Sequence, residues 1–516
     1  MEISNGGEIL VQALARQGVK KVFSIIGGQM GTMYDAIGRH PDMEVITPRS
    51  EASAALMACG YTASTGEPCV SMATVGAGVV YETAGLVMAW LDYLPVLSIA
   101  PQVQSYKMKP HQENLQACDQ DLLFAPFTKF SAIGYHAKRL PQLVDRALRE
   151  ALCGIPGPVH LDVPVDILFE RQVLTKGQKE KLFATPANTR YQGAVLPDPK
   201  AARRAGEMLA RAKRPLVLVG QGMGRPTRHK ELGSLLIKAK IPVITTSKSS
   251  GVMWAVKGVD AGPAFVFEQS AAAIRVFNEA DCLIVLGKDA QSARLLEKAS
   301  LARTPPFVIH AETDPGALDA PAQGYAPVWG DPASVFSGLL DAVAMDEAWA
   351  DKVCSASARA VKTLAGDFAQ GRSLFDATAP SIGANDMIVA DGATACLAAR
   401  AFLGKTSCQG VFLLEGIEMA GTGLPFAIGA AVGNPNSHIY LICEQRALFH
   451  NLREAATAVC LGIENLTIIC PDAQGVEPGV ERAADTAKIL AGLGLTTRIF
   501  EKGPALVASV GLARAI

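Results

Sequence analysis

The chain has 516 residues, too many for one ordinary core and about right for three domains of ~150 residues each. Its formal net charge is −1, which excludes a basic field for nucleic acid and an acidic tail. Hydrophobic residues make up 49% but aromatics only 6%, with 48 glycines, a balance suited to helices packed closely on parallel sheets.

The N-terminus, MEISNGGEILVQALARQG, has neither a basic start nor an apolar stretch, and no apolar run reaches ~18 residues. A soluble cytoplasmic protein without a membrane segment is expected. The 11 cysteines show no CxxC and no Cys/His ligand spacing, so neither a zinc site nor a disulfide framework is expected.

Short apolar runs alternate with helical patterns along the chain. In the first region, KVFSII (21–26) ends at Gly27-Gly28, and EVIT (44–47) precedes a helix from about Ser50. PCVSMAT (68–74) stops at Gly76-Ala77-Gly78, and LPVLSIA (94–100) and PVHLDVP (158–164) follow. Strands of this length separated by helices predict a parallel sheet covered on both faces. Residues 171–198 lack periodicity and read as a linker. RPLVLVGQG (214–222), IPVITT (241–246), DCLIVLG (281–287) and FVIH (307–310) repeat the pattern. A helical segment (346–373) leads to MIVADG (387–392), HIYLIC (438–443), NLTIIC (465–470) and TTRIF (496–500). The fold class is therefore α/β: three doubly wound, mostly parallel-sheet domains, over 1–175, 195–345 and 374–516.

A glycine between strand and helix lets the backbone approach a ligand and leaves helix N–H groups free for an anion. TVGAG (74–78) and GQGMG (220–224) both fit, although any doubly wound sheet needs tight corners. Glu51, in PRSEASAALMACGYTASTG, has two readings. It is a favourable charge on a helix dipole, or a carboxyl that shares a proton with a heteroaromatic nitrogen. Periodicity does not choose between them.

Taken in order, several segments resemble thiamine-diphosphate-dependent enzymes of the acetolactate synthase, benzoylformate decarboxylase and oxalyl-CoA decarboxylase group. ILVQALARQGVKKVFSIIGGQMGTMYDAI is similar to the opening helix, strand and glycine turn, with Gly27 and Gly28. RSEASAALMACGYTASTGEPCVSMATVGAG resembles the segment that carries the catalytic glutamate, which falls on Glu51, with Thr74 and Gly76 following. LQACDQDLLFAPFTK puts the active-site glutamine on Gln116. RPLVLVGQGMG through VIHAETDP resembles the central domain. EMAGTGLPFAIGAAVGNP, containing Gly421, resembles the entry to the diphosphate domain. The resemblance implies that Glu51 hydrogen-bonds an aminopyrimidine and favours the tautomer that removes the thiazolium proton.

The departures gather at the cofactor's other end. Alignment on LFHNLREAATA puts the family's Gly-Asp-Gly on Glu444, Gln445 and Arg446, and its metal-binding Asn on Asp472. The separation, 472 − 445 = 27, is the family's own, so these are substitutions in place. Gln445 and Asp472 still offer oxygens to a cation. Arg446 puts a cation and a bulky side chain where glycine left room for phosphate, so no metal is expected in the usual manner. Ser50 replaces the family's histidine, Ala420 beside Met419 replaces its large apolar residue, and Lys288-Asp289 stands where a flavin-contacting arginine belongs.

Three functions stay open. The first is a thiamine-diphosphate lyase or carboligase acting on a 2-oxo acid or acyl-CoA, with Arg446 replacing the metal. The second is an enzyme that has dropped this cofactor and binds a nucleotide or FAD in its central domain. The third is a non-catalytic subunit of an active homologue. The resemblance implies a homodimer or homotetramer with a small-molecule substrate. His111 and His450 read as solvated or structural histidines before catalytic ones.

Overall fold

The strands form where the apolar runs predict them. The computed structural model describes the chain apart from residues 1, 111–112, 184–193, 222–225, 250–258, 301–306, 319–323, 344, 368–381, 393–394, 397–398, 400–407, 409, 415–418, 472–482, 501–504 and 510–516. The chain divides into two units. One comprises residues 1–192, 424–435 and 449–463, and the other 193–423, 436–448 and 464–516.

In the first unit β1 (Glu2–Asn5) is followed by β2 (Lys21–Ser24), β3 (Glu44–Ile46), β4 (Cys69–Met72), β5 (Val96–Gln102), β6 (Ser131–Ile133), β7 (Val159–Pro164) and β8 (Arg171–Leu174). β2 to β7 make one parallel sheet in the order β3-β2-β4-β5-β7-β6. Every residue of β4, β5 and β7 is buried, because helices cover both faces. These strands therefore read as continuous apolar runs and not as alternation. One face packs on Ile9, Leu10 and Leu14 of the Gly6–Arg16 helix and on Val144 and Leu148 of the Leu140–Leu152 helix.

The stretch expected to be a linker contains regular elements. β8 pairs antiparallel with β1. A capping box at Thr175 and Gln178 then starts a helix over Lys176–Leu182. Sequence pattern missed both because the strand is an edge, with only Leu174 buried, and the helix has no buried residue.

The second unit holds two more sheets. β9 (Pro215–Val219), β10 (Val243–Thr245), β11 (Asp260–Pro263), β12 (Cys282–Leu286), β13 (Phe307–Glu312) and β14 (Tyr325–Trp329) form a parallel sheet in the order β11-β10-β9-β12-β13-β14. β15 (Met387–Asp391), β16 (Gly410–Leu413), β17 (Ile439–Cys443), β18 (Leu466–Pro471), β19 (Thr496–Phe500) and β20 (Ala505–Ser509) are ordered β16-β15-β17-β18-β20-β19. β20 runs antiparallel to both neighbours. Three doubly wound, mostly parallel sheets with flanking helices make the α/β class expected from the sequence.

Each sheet has a point where successive connections leave to opposite sides: between β2 and β4, between β9 and β12, and between β15 and β17. The crevice outside the C-terminal ends of such a pair is where open α/β sheets bind ligands. Among the described residues no helix is long and apolar enough to cross a membrane.

Candidate functional site

The β2/β4 crevice of the first unit gathers six of the residues singled out by sequence. Gly27 and Gly28 leave β2, and Thr74 and Gly76 leave β4. Gly76 has φ +75° and sits so close to Gln116 that an added Cβ would lie 2.6 Å from its carbonyl oxygen. A Cβ on Gly27 would lie 3.0 Å from the Thr74 side chain, and one on Gly28 would meet nothing within 4 Å. Gln29 joins the two loops: the Thr74 hydroxyl donates to its Oε1 at 3.1 Å, and its Nε2 donates to Gln116 Oε1 at 3.3 Å. Gln116 has φ +67°, a strained backbone for a non-glycine residue.

Glu51 opens the helix Glu51–Thr65, and the Ser50 hydroxyl caps it by accepting from Ser53 N at 3.2 Å. Serine is a good N-cap, which accounts structurally for the residue found where the family has histidine. The half-buried Glu51 side chain leans over the same glycine turn. A Cβ on Gly78 would lie 3.2 Å from Glu51 Oε1 and 2.9 Å from Thr74 Cγ2. The carboxylate therefore fills the space that a side chain at position 78 would take. Among the described residues no hydrogen-bond donor reaches it. Glu454, fully buried, holds the approach to the helix by accepting from Arg49 N at 3.0 and 3.2 Å.

The described cradle fits an aminopyrimidine. It combines a half-buried carboxylate with accepting capacity to spare, open space at Gly28, and an amide at Gln116. Gln29 and Glu454 escaped the sequence reading. Gln29 directly follows the glycine pair, which was the available signal. Glu454 lies 405 residues from its partner, and local pattern carries no such pairing.

The β15/β17 crevice of the second unit is built differently. Asp391 Oδ2 accepts from Gly421 N at 3.1 Å and Gly423 N at 2.8 Å, so Gly421, with φ +90°, helps to hold Asp391 at the corner. Gly392 has φ +101°, and an added Cβ there would lie 2.9 Å from Glu444 Oε1. Glu444 thus lays its side chain over Gly392. Gln445 is buried; its Nε2 reaches Thr486 Oγ1 at 3.5 Å, and its Oε1 has no partner among the described residues. Arg446 and His450 are exposed. Asp472 lies outside the described residues. The two carboxylates are oxygen ligands for a cation. Glu444, however, lies over Gly392, and Gln445 is neutral where the resemblance implies a charged metal ligand. The described corner therefore does not match a magnesium diphosphate held in that manner.

The β9/β12 crevice is narrow. A Cβ on Gly220 would lie 2.0 Å from Gly287 O, and Asp289 Oδ2 accepts from Gln221 N at 3.1 Å and from the Thr246 hydroxyl at 2.5 Å. Gly222 and Gly224 of the glycine corner, like His111, lie outside the described residues. Glu312, at the end of β13, accepts from Lys288 N at 2.9 Å. Burial pushes it up to about 7, against backbone N–H groups of Thr313, Lys288 and Asp314 that pull it down.

Comparison with known proteins falls on the same regions. The N-terminal TPP binding domain of thiamine pyrophosphate enzymes matches residues 4–123, and the central domain of those enzymes matches 202–339. The chain is 29% identical to the acetolactate synthase isozyme 1 large subunit of Escherichia coli, over 88% of this chain and 79% of that protein. It is 28% identical to the isozyme 2 large subunit of the same organism, over 88% and 80%. It is also 28% identical to a probable acetolactate synthase large subunit of Methanocaldococcus jannaschii, over 88% and 77%. The matched N-terminal domain contains Glu51, Thr74, Gly76 and Gln116, the residues that meet at one turn, and with these similarities the chain belongs to the acetolactate-synthase-like thiamine pyrophosphate enzymes.

Proposed function

We propose that this chain is a thiamine-diphosphate-dependent lyase or carboligase acting on a 2-oxo acid or acyl-CoA, with its diphosphate corner rebuilt to work without the usual magnesium. One observation carries the reading: the Glu51 carboxylate lies over a bare glycine turn, with no donor of its own among the described residues. A buried or half-buried acceptor of this kind is costly to leave unmade, and a ring nitrogen bearing hydrogen satisfies it. When bound, thiamine diphosphate supplies a thiazolium carbon acid and an electron sink beside a carbonyl.

The chain's own residues divide the work. Glu51 accepts the ring N–H and sets its tautomer. Gly28 leaves open space at the turn, Gly27, Thr74 and Gly76 let the two loops and Gln116 pack closely beside it, and Gln116 presents an amide from a strained backbone. At the other end Arg446 offers a planar guanidinium whose paired N–H groups match two oxygens of a diphosphate. Gln445 Oε1 and Asp472 are oxygen donors in reserve.

Isothermal calorimetry with thiamine diphosphate, with and without magnesium, tests the reading. Binding that needs no metal and is lost in Arg446→Ala supports it, and absence of binding under both conditions rejects it. A second reading rests on Glu444, whose carboxylate covers Gly392: the scaffold has given up the diphosphate and does other chemistry, with FAD in the central domain as one candidate cofactor. A visible flavin spectrum of the purified protein, without thiamine diphosphate binding, favours that reading.

We also propose that copies of the chain associate. The Ala77–Leu91 helix exposes Val80, Tyr81, Trp90 and Leu91, and exposed apolar side chains gathered on one helix suit an interface. The 11 cysteines form no disulfide, which suits a reducing, cytoplasmic location.

A further inference from the structure

Behind the glycine turn runs a line of buried polar groups with no role in the reading above. Gly76 N donates to Gln120 Oε1 at 3.0 Å. Gln120 Nε2 donates to Asp162 Oδ1 at 2.5 Å and to Pro101 O at 3.2 Å. With two acceptors on one side and an N–H on the other, the Gln120 amide has only one orientation that satisfies all three.

The line continues from Asp162. Its Oδ1 lies 2.9 Å from His160 Nε2, and a carboxylate only accepts, so Nε2 carries a hydrogen. Ser98 Oγ then lies 3.0 Å from His160 Nδ1 and 2.9 Å from Glu82 Oε2. The hydroxyl has one hydrogen for two contacts. If Ser98 donates to Glu82, Nδ1 must bring its own hydrogen and the ring is an imidazolium. If Glu82 is protonated, it donates to Ser98, and Ser98 donates to a neutral ring. The two arrangements carry the same net charge and differ only in where one proton sits.

Glu82, Ser98, Gln120, His160 and Asp162 are all fully buried. Separating charge there is expensive, which favours the neutral pair. Burial pushes Glu82 up to about 7, the charge of Glu51 pushes it further, and Ser71, His160 and Ser98 oppose this.

We propose that Gln120, Asp162, His160, Ser98 and Glu82 form one positioning strut for the glycine turn beneath Glu51, locked by a single proton that resides on Glu82 and can pass through Ser98 to His160. In that transfer the Glu82 O–H bond breaks as Ser98 Oγ takes the proton, and Ser98 gives its own hydrogen to Nδ1. No redox partner is involved. A neutral Glu82 spares Glu51 a second negative charge close behind it. Only this last consequence rests on the cofactor reading; the strut itself does not.

The test uses the full chain labelled with nitrogen-15 at histidine, with the His160 signals assigned by their loss in His160→Gln. At pH 7 the wild-type ring is expected as the Nε2–H tautomer, and its signals move as pH rises from about 6 to about 8, around the Glu82 value of about 7. In Glu82→Gln, whose amide still donates to Ser98, they stay still. An invariant wild-type signal, or equal movement in Glu82→Gln, overturns the proposal. Gln120→Met removes the acceptor for Gly76 N, and exchange of that amide should quicken about tenfold or more. Unchanged exchange overturns the positioning role. Neither measurement needs cofactor, so failure of thiamine diphosphate binding in calorimetry would count against the proposed function and leave the strut standing.

Discussion

The Cβ that Gly78 lacks would stand 3.2 Å from Glu51 Oε1. This places the carboxylate in contact with a helix start 27 residues further along the chain, and it makes position 78 a control on where Glu51 sits. Gly78→Ala is expected to push the Glu51 side chain aside, because the new methyl also meets Thr74 Cγ2 at 2.9 Å. Thiamine diphosphate affinity by calorimetry should fall about tenfold, equivalent to about 1.4 kcal/mol, with the circular dichroism spectrum unchanged. Unaltered affinity would detach Glu51 from the binding site.

Gly60→Ala should be damaging to stability for so small a change, because Gly60 is buried against a neighbouring backbone. An added Cβ would lie 1.9 Å from Phe426 O, and at Gly429 the corresponding atom would lie 1.9 Å from Met57 O. These glycines let the Glu51–Thr65 and Gly423–Gly433 helices touch backbone to backbone. Overpacking against a carbonyl has no flexible side chain to absorb it, so a loss of about 3 kcal/mol is expected. The check is a lower urea midpoint at an unchanged m-value.

Glu82 gives a pH signature. Its folded value is raised from 4.5 to about 7, so between those limits the folded protein holds a proton that the unfolded chain releases. Stability therefore falls as pH rises through this window. The loss is on the order of 3 kcal/mol when the full shift is expressed. Glu82→Gln should flatten that slope, and denaturation midpoints measured from pH 5 to pH 8, roughly this window, would show it. A slope equal in both proteins refutes the assignment.

Much of the fold was legible because buried parallel strands announce themselves. PCVSMAT and PVHLDVP became β4 and β7, buried throughout. The same logic hid the short strands. Ser131–Ile133 is only partly buried, and Asp260–Pro263 contains glycine and proline; both exist through their neighbours. The site was half legible. Glycine turns and Glu51 could be read off, and Glu82 could have been, as the lone charge in the helix AGVVYETAGLVMAWL. The contact of Glu444 with Gly392 could not, since it depends on which strands lie side by side. That neighbourhood is set by β15 pairing with β17.

Association of the chain can be tested at the Ala77–Leu91 helix. Tyr81, 67% exposed, is one of its exposed apolar side chains, so Tyr81→Glu should leave the fold intact and lower the mass measured by light scattering. A charge desolvated at an apolar interface is costly. An unchanged mass would move the interface elsewhere.

The clasp between Arg49 and Glu454 has a consequence for biosynthesis. The two residues are 405 apart, and at translation rates of about 5–20 residues per second the acceptor leaves the ribosome roughly 20–80 s after the amide it receives. Over that interval the nascent first region lacks both its late-arriving helices and the carboxylate that fastens the chain ahead of Glu51. Any fragment ending before Leu424 keeps that vulnerability for good.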